Sequence, residues 1–179
     1  MKTETSNIRS KAIFSDDGEH RLLLWKEWDK DKPTAMIIMI NPSTADTLNM
    51  DLTTMLTINN LNVLGYGSVN IVNLYSRITD KLSLRFNSDE DLLDENNDGV
   101  IVKYAEKSDV IIIAWGCVGN HSQRIRERQA ELLKRLESHA DRLYQIGDKR
   151  YHPLTPSIRC EWKLKKYEME DRYVEDNSS

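Results

Sequence analysis

The chain has 179 residues, the size of one domain, and its 39% apolar content is enough to close a single core between a sheet and helices. With 25 basic and 29 acidic residues the formal net charge is −4, which excludes the whole-molecule positive field of a protein that coats nucleic acid; any such contact has to be local. No apolar run approaches the roughly 20 residues that span a bilayer, the polar N-terminus has no secretion-signal centre, and two cysteines, one beside a strand-like run, are expected to stay reduced in a cytoplasmic protein.

In chain order, Ala12–Phe14 and Arg21–Trp25 flank Asp17-Gly18, a hairpin turn signal. Met36 to Ile40 is an unbroken apolar run stopped by Asn41-Pro42, the pattern of a strand buried on both faces. From Asp51 to Leu64 the spacing predicts a helix with Asp51 as N-cap and Gly65 as its stop, its apolar face made by Leu52, Met55, Leu56, Val63 and Leu64. Val69–Asn73 is a second buried strand. Residues 77–98 are polar and turn-rich, and a helix starts near Asn97 or Asp98. Val110–Ala114 is the clearest strand and is expected at the centre of the sheet. Ile125, Leu132, Leu133 and Leu136 mark one face of a helix whose cations, Arg124, Arg126, Arg128, Lys134 and Arg135, are expected to be mostly solvated. Arg142–Ile146 is a last strand, and the charged residues from Lys163 onward read as a tail fraying at 176–179. Strands alternating with crossovers predict one three-layer α/β/α domain over 1–179, with a mostly parallel four-stranded sheet preceded by the hairpin.

In such sheets ligands bind beyond the carboxyl ends of the strands, where loops converge. Three strand ends here deliver Asn41-Pro42-Ser43-Thr44, Asn73-Leu74-Tyr75-Ser76 and Trp115-Gly116, and the segment after the fourth carries Arg150 and His152-Pro153. Asp46 and Asp51 flank the first loop and can orient a water or a divalent ion, or cap and solvate the helix start. Each element also has a plainer role, as a turn, a packing tryptophan or a structural histidine; the recurrence is what points to a site. Lys149, Arg150, Arg159, Lys163, Lys165 and Lys166 surround His152, either as an anion site or as a solvated face. No glycine-rich phosphate loop or Gly-x-Ser-x-Gly elbow occurs. Cys117 and His121 could reach a metal only from a shared helix, and Gly119 intervenes, so no metal or cofactor is expected.

Taken together, Arg21–Trp25 with Trp28-Asp29, Met39–Asp46, Asp51 with Thr53, Gly65-Tyr66-Gly67, Val72-Asn73-Leu74, Asn97-Asp98, Ala114-Trp115-Gly116 and His152-Pro153-Leu154 resemble the bacterial and phage family catalogued as domain of unknown function 1643, over about residues 20–155. The order of a strand ending in Asn-Pro, one ending in Asn, one ending in Trp-Gly, and a late His-Pro is also similar to the uracil-DNA glycosylase superfamily. That resemblance implies its fold and a site in which Asn41 holds the attacking water, Asn73 reads the base edge and His152 stabilises charge on the leaving base. It implies as partner a nucleobase-containing small molecule or a single-stranded or flipped nucleic acid, bound and hydrolysed at its N-glycosidic bond. The acidic total and the lack of a wedge residue after Pro153 speak against repair of duplex DNA. The alternative is a non-catalytic phage or mobile-element factor that sequesters a nucleotide or a protein, and a third is an interaction scaffold acting through the Arg124–Arg135 helix.

Overall fold

The computed structural model describes residues 1–79, 82–116 and 122–169. The four runs expected to be strands of the main sheet form β3 (Thr34–Met39), β4 (Ser68–Asn73), β5 (Val110–Ile113) and β6 (Leu143–Ile146). They pair in parallel in the spatial order β4-β3-β5-β6. The sheet does not stop there. The hairpin strands β1 (Arg9–Phe14) and β2 (Arg21–Glu27) join it through an antiparallel β2–β4 pairing, and β7 (Leu164–Lys166) adds antiparallel to β6, giving seven strands instead of four. The hairpin is therefore part of the sheet, and part of the charged tail is its far edge. The central strand is β3, with β5 beside it.

Side chains of alternate strand residues fill two cores. Met36, Ile38, Ile111 and Ile113 pack with Ile101 of α3 (Asn97–Ala105) and with Ile125 and Leu132 of α4 (Gln123–Arg135). Ala35, Ile37, Ile71 and Ile112 pack on the other face with Ile58 and Leu61 of α1 (Leu52–Val63). Burial on both faces is what makes β3 and β5 nearly continuous apolar runs, whereas β4 carries the buried polar residues Ser68, Asn70 and Asn73. A one-turn helix, α2 (Asp89–Leu92), lies in the polar stretch and is started by a capping box between Ser88 and Asp91. No helix among the described residues is long and apolar enough to cross a membrane.

The helix faces depart from expectation in α1 and, for two of its five cations, in α4, where Arg126, Lys134 and Arg135 are exposed as expected. Helix α1 has the expected cap, Asp51 accepting from Thr54 N, but it turns Thr54, Thr57, Ile58 and Leu61 inward and leaves Leu52, Met55 and Val63 outside. In α4, Arg128 is buried and Arg124 is half-buried. Arg124 donates to the Leu84 and Asn87 carbonyls (2.9 and 2.8 Å), while Arg128 pairs with Asp98 and donates to Leu74 O (3.1 Å). Neither is a solvated cation.

The end of the sheet away from the strand-end loops is closed by a tight contact. Trp28 N and Asp29 N both donate to Gly67 O (2.9 and 3.0 Å), and a Cβ on Gly67 would lie 1.9 Å from the Asp29 carbonyl oxygen. Because backbone, not a movable side chain, blocks that position, Gly67→Ala is expected to cost about 1–3 kcal/mol. Thermal unfolding would show it as a melting point lower by roughly 2–12 °C.

Candidate functional site

The carboxyl ends of β4, β3, β5 and β6 are stitched together in their spatial order. Leu74 N and Tyr75 N donate to Met39 O and Ile40 O (2.9 and 2.8 Å), and Thr79 N donates to Pro42 O (3.2 Å). Ala114 N donates to Ile38 O (2.9 Å), and Gly116 N to Arg150 O (2.7 Å). Gly116 has φ +68°, and its α-carbon faces the His152 Cβ closely enough that an added Cβ would touch it at 4.0 Å. Arg150, with φ 55°, is the one non-glycine in the left-handed region among the described residues, a conformation that costs about 1–3 kcal/mol and that persists only where surroundings enforce it.

The loop from Asn41 to Asp51 is gripped from below by two buried cations of β2. Arg21 donates through Nη1 to Ser43 O (3.3 Å) and to Ala45 O, and Lys26 donates through Nζ to Asp46 O (3.0 Å) and Thr47 O (2.9 Å). Burial lowers the Arg21 pKa to about 10 against the raising effect of Asp51 and Asp46, so it remains a cation at neutral pH. These two residues carry no signal of burial in the sequence beyond the apolar strand around them.

Above the cations, Asp51 is the hub. Its carboxylate accepts from the Ser43 hydroxyl at 2.5 Å and from Thr54 N at 2.7 Å. Burial acts to raise its pKa, but those hydrogen bonds and the charge of Arg21 outweigh it and hold Asp51 below the usual carboxylate range. The Asp51 carboxylate in turn acts on His152, favouring its protonated form. His152 accepts from Leu154 N through Nδ1 (3.2 Å), which places the proton of the neutral ring on Nε2.

Burial lowers the His152 pKa below 6.5, with Asp51 opposing in part. The fold therefore binds fewer protons here than the unfolded chain, and stability contributed by neutral His152 is present above pH 6.5 and is lost as pH falls from there toward the depressed folded value. Urea midpoints measured across this window are expected to drop with acid, and His152→Gln is expected to remove that part of the slope.

The remaining sequence-derived residues divide. Asn41 is half-buried, and its amide nitrogen donates to Thr79 O (2.7 Å) and Pro42 O (3.3 Å), so it ties two strand-end loops together. Pro42 is buried and Thr44 is exposed. Asp46 folds its own turn: it accepts from Leu48 N, Asn49 N and Asn49 Nδ2 (2.7, 2.8 and 2.9 Å), which pulls its pKa down to about 2 and commits both oxygens to the loop. Tyr75 and Trp115 are core residues of the α3–α4 face, and Trp115 meets the Tyr167 ring edge-on at 6.5 Å, so neither ring is available as an open stacking platform. Of the cations near His152, Lys165 pairs with Asp148, Lys163 lies 3.9 Å from Glu161, Lys166 binds the Asp141 carbonyl and Arg159 donates to Leu154 O (2.7 Å). Cys160 is an exposed free thiol, while Cys117, Gly119, His121 and 176–179 lie outside the described residues.

Asn73 stands apart. It ends β4, its side chain is 1% exposed, and neither its amide nitrogen nor its amide oxygen has a partner. Its main-chain oxygen accepts from Asn97 Nδ2 (3.1 Å), and Arg128 holds the next carbonyl, so the strand end is fixed while the amide is left unsatisfied.

A family model described as "Protein of unknown function (DUF1643)" matches residues 21–156. The chain belongs to that family. No curated protein and no solved structure matches it. The DUF1643 stretch begins at the buried cation Arg21 and ends four residues past His152, leaving β1 and β7 outside. Within it the motif residues serve two ends of the sheet. Trp28-Asp29 and Gly65-Tyr66-Gly67 close one end, whereas Arg21, the Asn41–Asp51 loop, Asn73, Asn97-Asp98, Gly116 and His152 build or brace the other.

Proposed function

We propose that this DUF1643 protein binds a nucleobase or nucleotide at a site of the uracil-DNA glycosylase type and hydrolyses an N-glycosidic bond there. The observation that carries the reading is the unpartnered, fully buried amide of Asn73 at a strand end braced by Asn97 and Arg128. A buried amide without partners costs about 1–3 kcal/mol, a cost that a ligand bonding to both ends of the Asn73 amide would remove. An amide reads a base edge because it offers a donor and an acceptor side by side.

In the reaction, water adds to the sugar C1′ as the C1′–N bond breaks, and the bonding pair leaves with the base as an anion. The Nε2–H of neutral His152 is the donor for the developing charge, a role whose loss typically costs about 2.7–4 kcal/mol of barrier. The amide oxygen of Asn41 holds the water, whose proton passes to solvent or to the departing base. Lys163 and Lys165 are engaged with acidic neighbours, which favours a free nucleotide or a single strand over a gripped duplex.

Incubation with uracil-containing single-stranded and duplex DNA and with a panel of nucleotides, followed by chromatography for free base and calorimetry for binding, tests the reading. Neither release nor binding in any arm would sink it. Asn73→Leu is the diagnostic variant: it is expected to raise stability by about 1–3 kcal/mol by removing the unsatisfied amide, while abolishing binding. Full binding by this variant would refute the role of Asn73. One observation favours a sequestering protein as the second reading, namely that the Asn41 nitrogen is committed to loop structure; binding without base release is its signature.

A further inference from the structure

Arg150 is a cation that the fold does not use for itself. It belongs to the basic cluster around His152, whose other members are all engaged. Lys165 and Lys163 face Asp148 and Glu161, Lys166 and Arg159 bond the Asp141 and Leu154 carbonyls, and Lys149 has a partner as well. Alone in this group, the guanidinium of Arg150 has no hydrogen bond, ion pair or ring contact among the described residues. Its Nε is nevertheless shielded from solvent, in a residue that is only half-buried overall. A purely solvated arginine keeps its N–H groups in water, because a shielded donor without an acceptor is unfavourable.

The backbone adds an independent observation. Arg150 has φ 55°, and the peptide that follows it is pinned at both ends: Gly116 N donates to Arg150 O (2.7 Å), and Tyr151 N donates to Ile146 O (3.1 Å). Three residues earlier, Gly147 adopts φ 60° with no side chain to strain. Arg150 adopts a similar φ with a long side chain whose polar end gains nothing from the protein in return. The place is that of the candidate site. A Cβ on Gly116 would lie 4.0 Å from the His152 Cβ, so the strained turn, the end of β5 and the His152 loop meet at Gly116.

We propose that Arg150 is the anion-binding residue of this site and takes the terminal phosphate of a nucleoside monophosphate. The step rests on the nucleobase reading above, which supplies the ligand class, since the anionic group of such ligands is a phosphoryl group. Nε–H and the neighbouring Nη–H form one edge of a planar fork that matches two phosphate oxygens, and that pairing would give the shielded Nε its acceptor. One uncommitted cation suits one terminal phosphate. A nucleic-acid backbone presents a row of phosphates and draws on several cations, which the engaged neighbours of Arg150 do not offer.

Calorimetry on the full chain tests this with the common nucleosides, their 5′-monophosphates and a single-stranded oligonucleotide. A monophosphate is expected to bind about tenfold or more tighter than its nucleoside. Arg150→Gly and Arg150→Asn, two residue types that suit a left-handed backbone, are expected to fold and to erase that difference. Equal affinity of the wild type for nucleoside and monophosphate overturns the proposal. So does a phosphate preference that survives in both variants, or an oligonucleotide that binds tighter than every monophosphate and is retained by both. If no nucleoside or nucleotide binds at all, the nucleobase reading fails by itself, and inorganic phosphate decides the anion site separately. A melting point raised by phosphate in the wild type and not in the variants sustains it; the same response in all three ends it.

Discussion

Asp98→Ala is expected to lower stability by about 3–5 kcal/mol, the cost of leaving a buried charge without its counterion. Arg128 is the stranded partner: its guanidinium reaches Asp98 with Nη1 at 2.9 Å and also with Nη2, and its side chain is 7% exposed. Arg135 shares the same carboxylate at 3.1 Å but is largely in solvent and loses little. At about 2–4 °C per kcal/mol for a chain of this size, the melting point should fall by roughly 6–20 °C. Asp98→Ala combined with Arg128→Leu is expected to recover part of the loss, because no buried charge remains; recovery is incomplete, since Arg128 also holds Leu74 O. The double variant separates stability from site geometry. It should fold yet bind ligand weakly, because Leu74 O follows Asn73 directly. A single variant with an unchanged melting point would show that Asp98 is dispensable as the counterion.

The sequence makes some of this architecture legible and hides the rest for physical reasons. Strands β3 and β5 are recognisable because both their faces are buried, which keeps their runs apolar from Ala35 to Met39 and from Val110 to Ile113, and β4 is legible from Val69, Ile71 and Val72 despite its buried Asn70. Strand β7 is hidden: Leu164, Lys165 and Lys166 pair through backbone at an edge, where side chains carry no pattern. Helix α1 has legible ends, since Asp51 and Gly65 act locally, but its orientation depends on what the sheet accepts, and threonines packing inward cannot be told from threonines in water. The arginines fail in the same way. Arg21 and Arg128 look like surface cations until the carbonyls and carboxylates around them are assembled from residues 22 to 54 positions away. The strand-end logic locates Asn73 correctly at the end of β4, but the missing partners of its amide are a property of the assembled core.

Arg21→Met is the second substitution with a large expected effect, and it links the sheet to the site. Methionine keeps the apolar stem and removes the donors, stranding the Ser43 and Ala45 carbonyls; at about 1–3 kcal/mol per buried group without a partner, the loss is about 2–6 kcal/mol. Its consequences should concentrate in the Asn41–Asp51 loop, since Lys26 still holds the later carbonyls of Asp46 and Thr47. Asp51 loses the cation that helps to keep it ionised, so its pKa should rise, and Ser43 loses a fixed acceptor as the loop relaxes. Hydrogen exchange should accordingly quicken at Ala45 and the first turn of α1 while β3 and β5 stay protected. Arg21→Lys keeps the charge but not the planar fork that spans two carbonyls, and an intermediate loss is expected. Ligand binding should decline in the same order, wild type above lysine above methionine. If the methionine variant melts and binds like the wild type, the grip of β2 on this loop is not what shapes the site, and the hairpin's place in the sheet has no bearing on function.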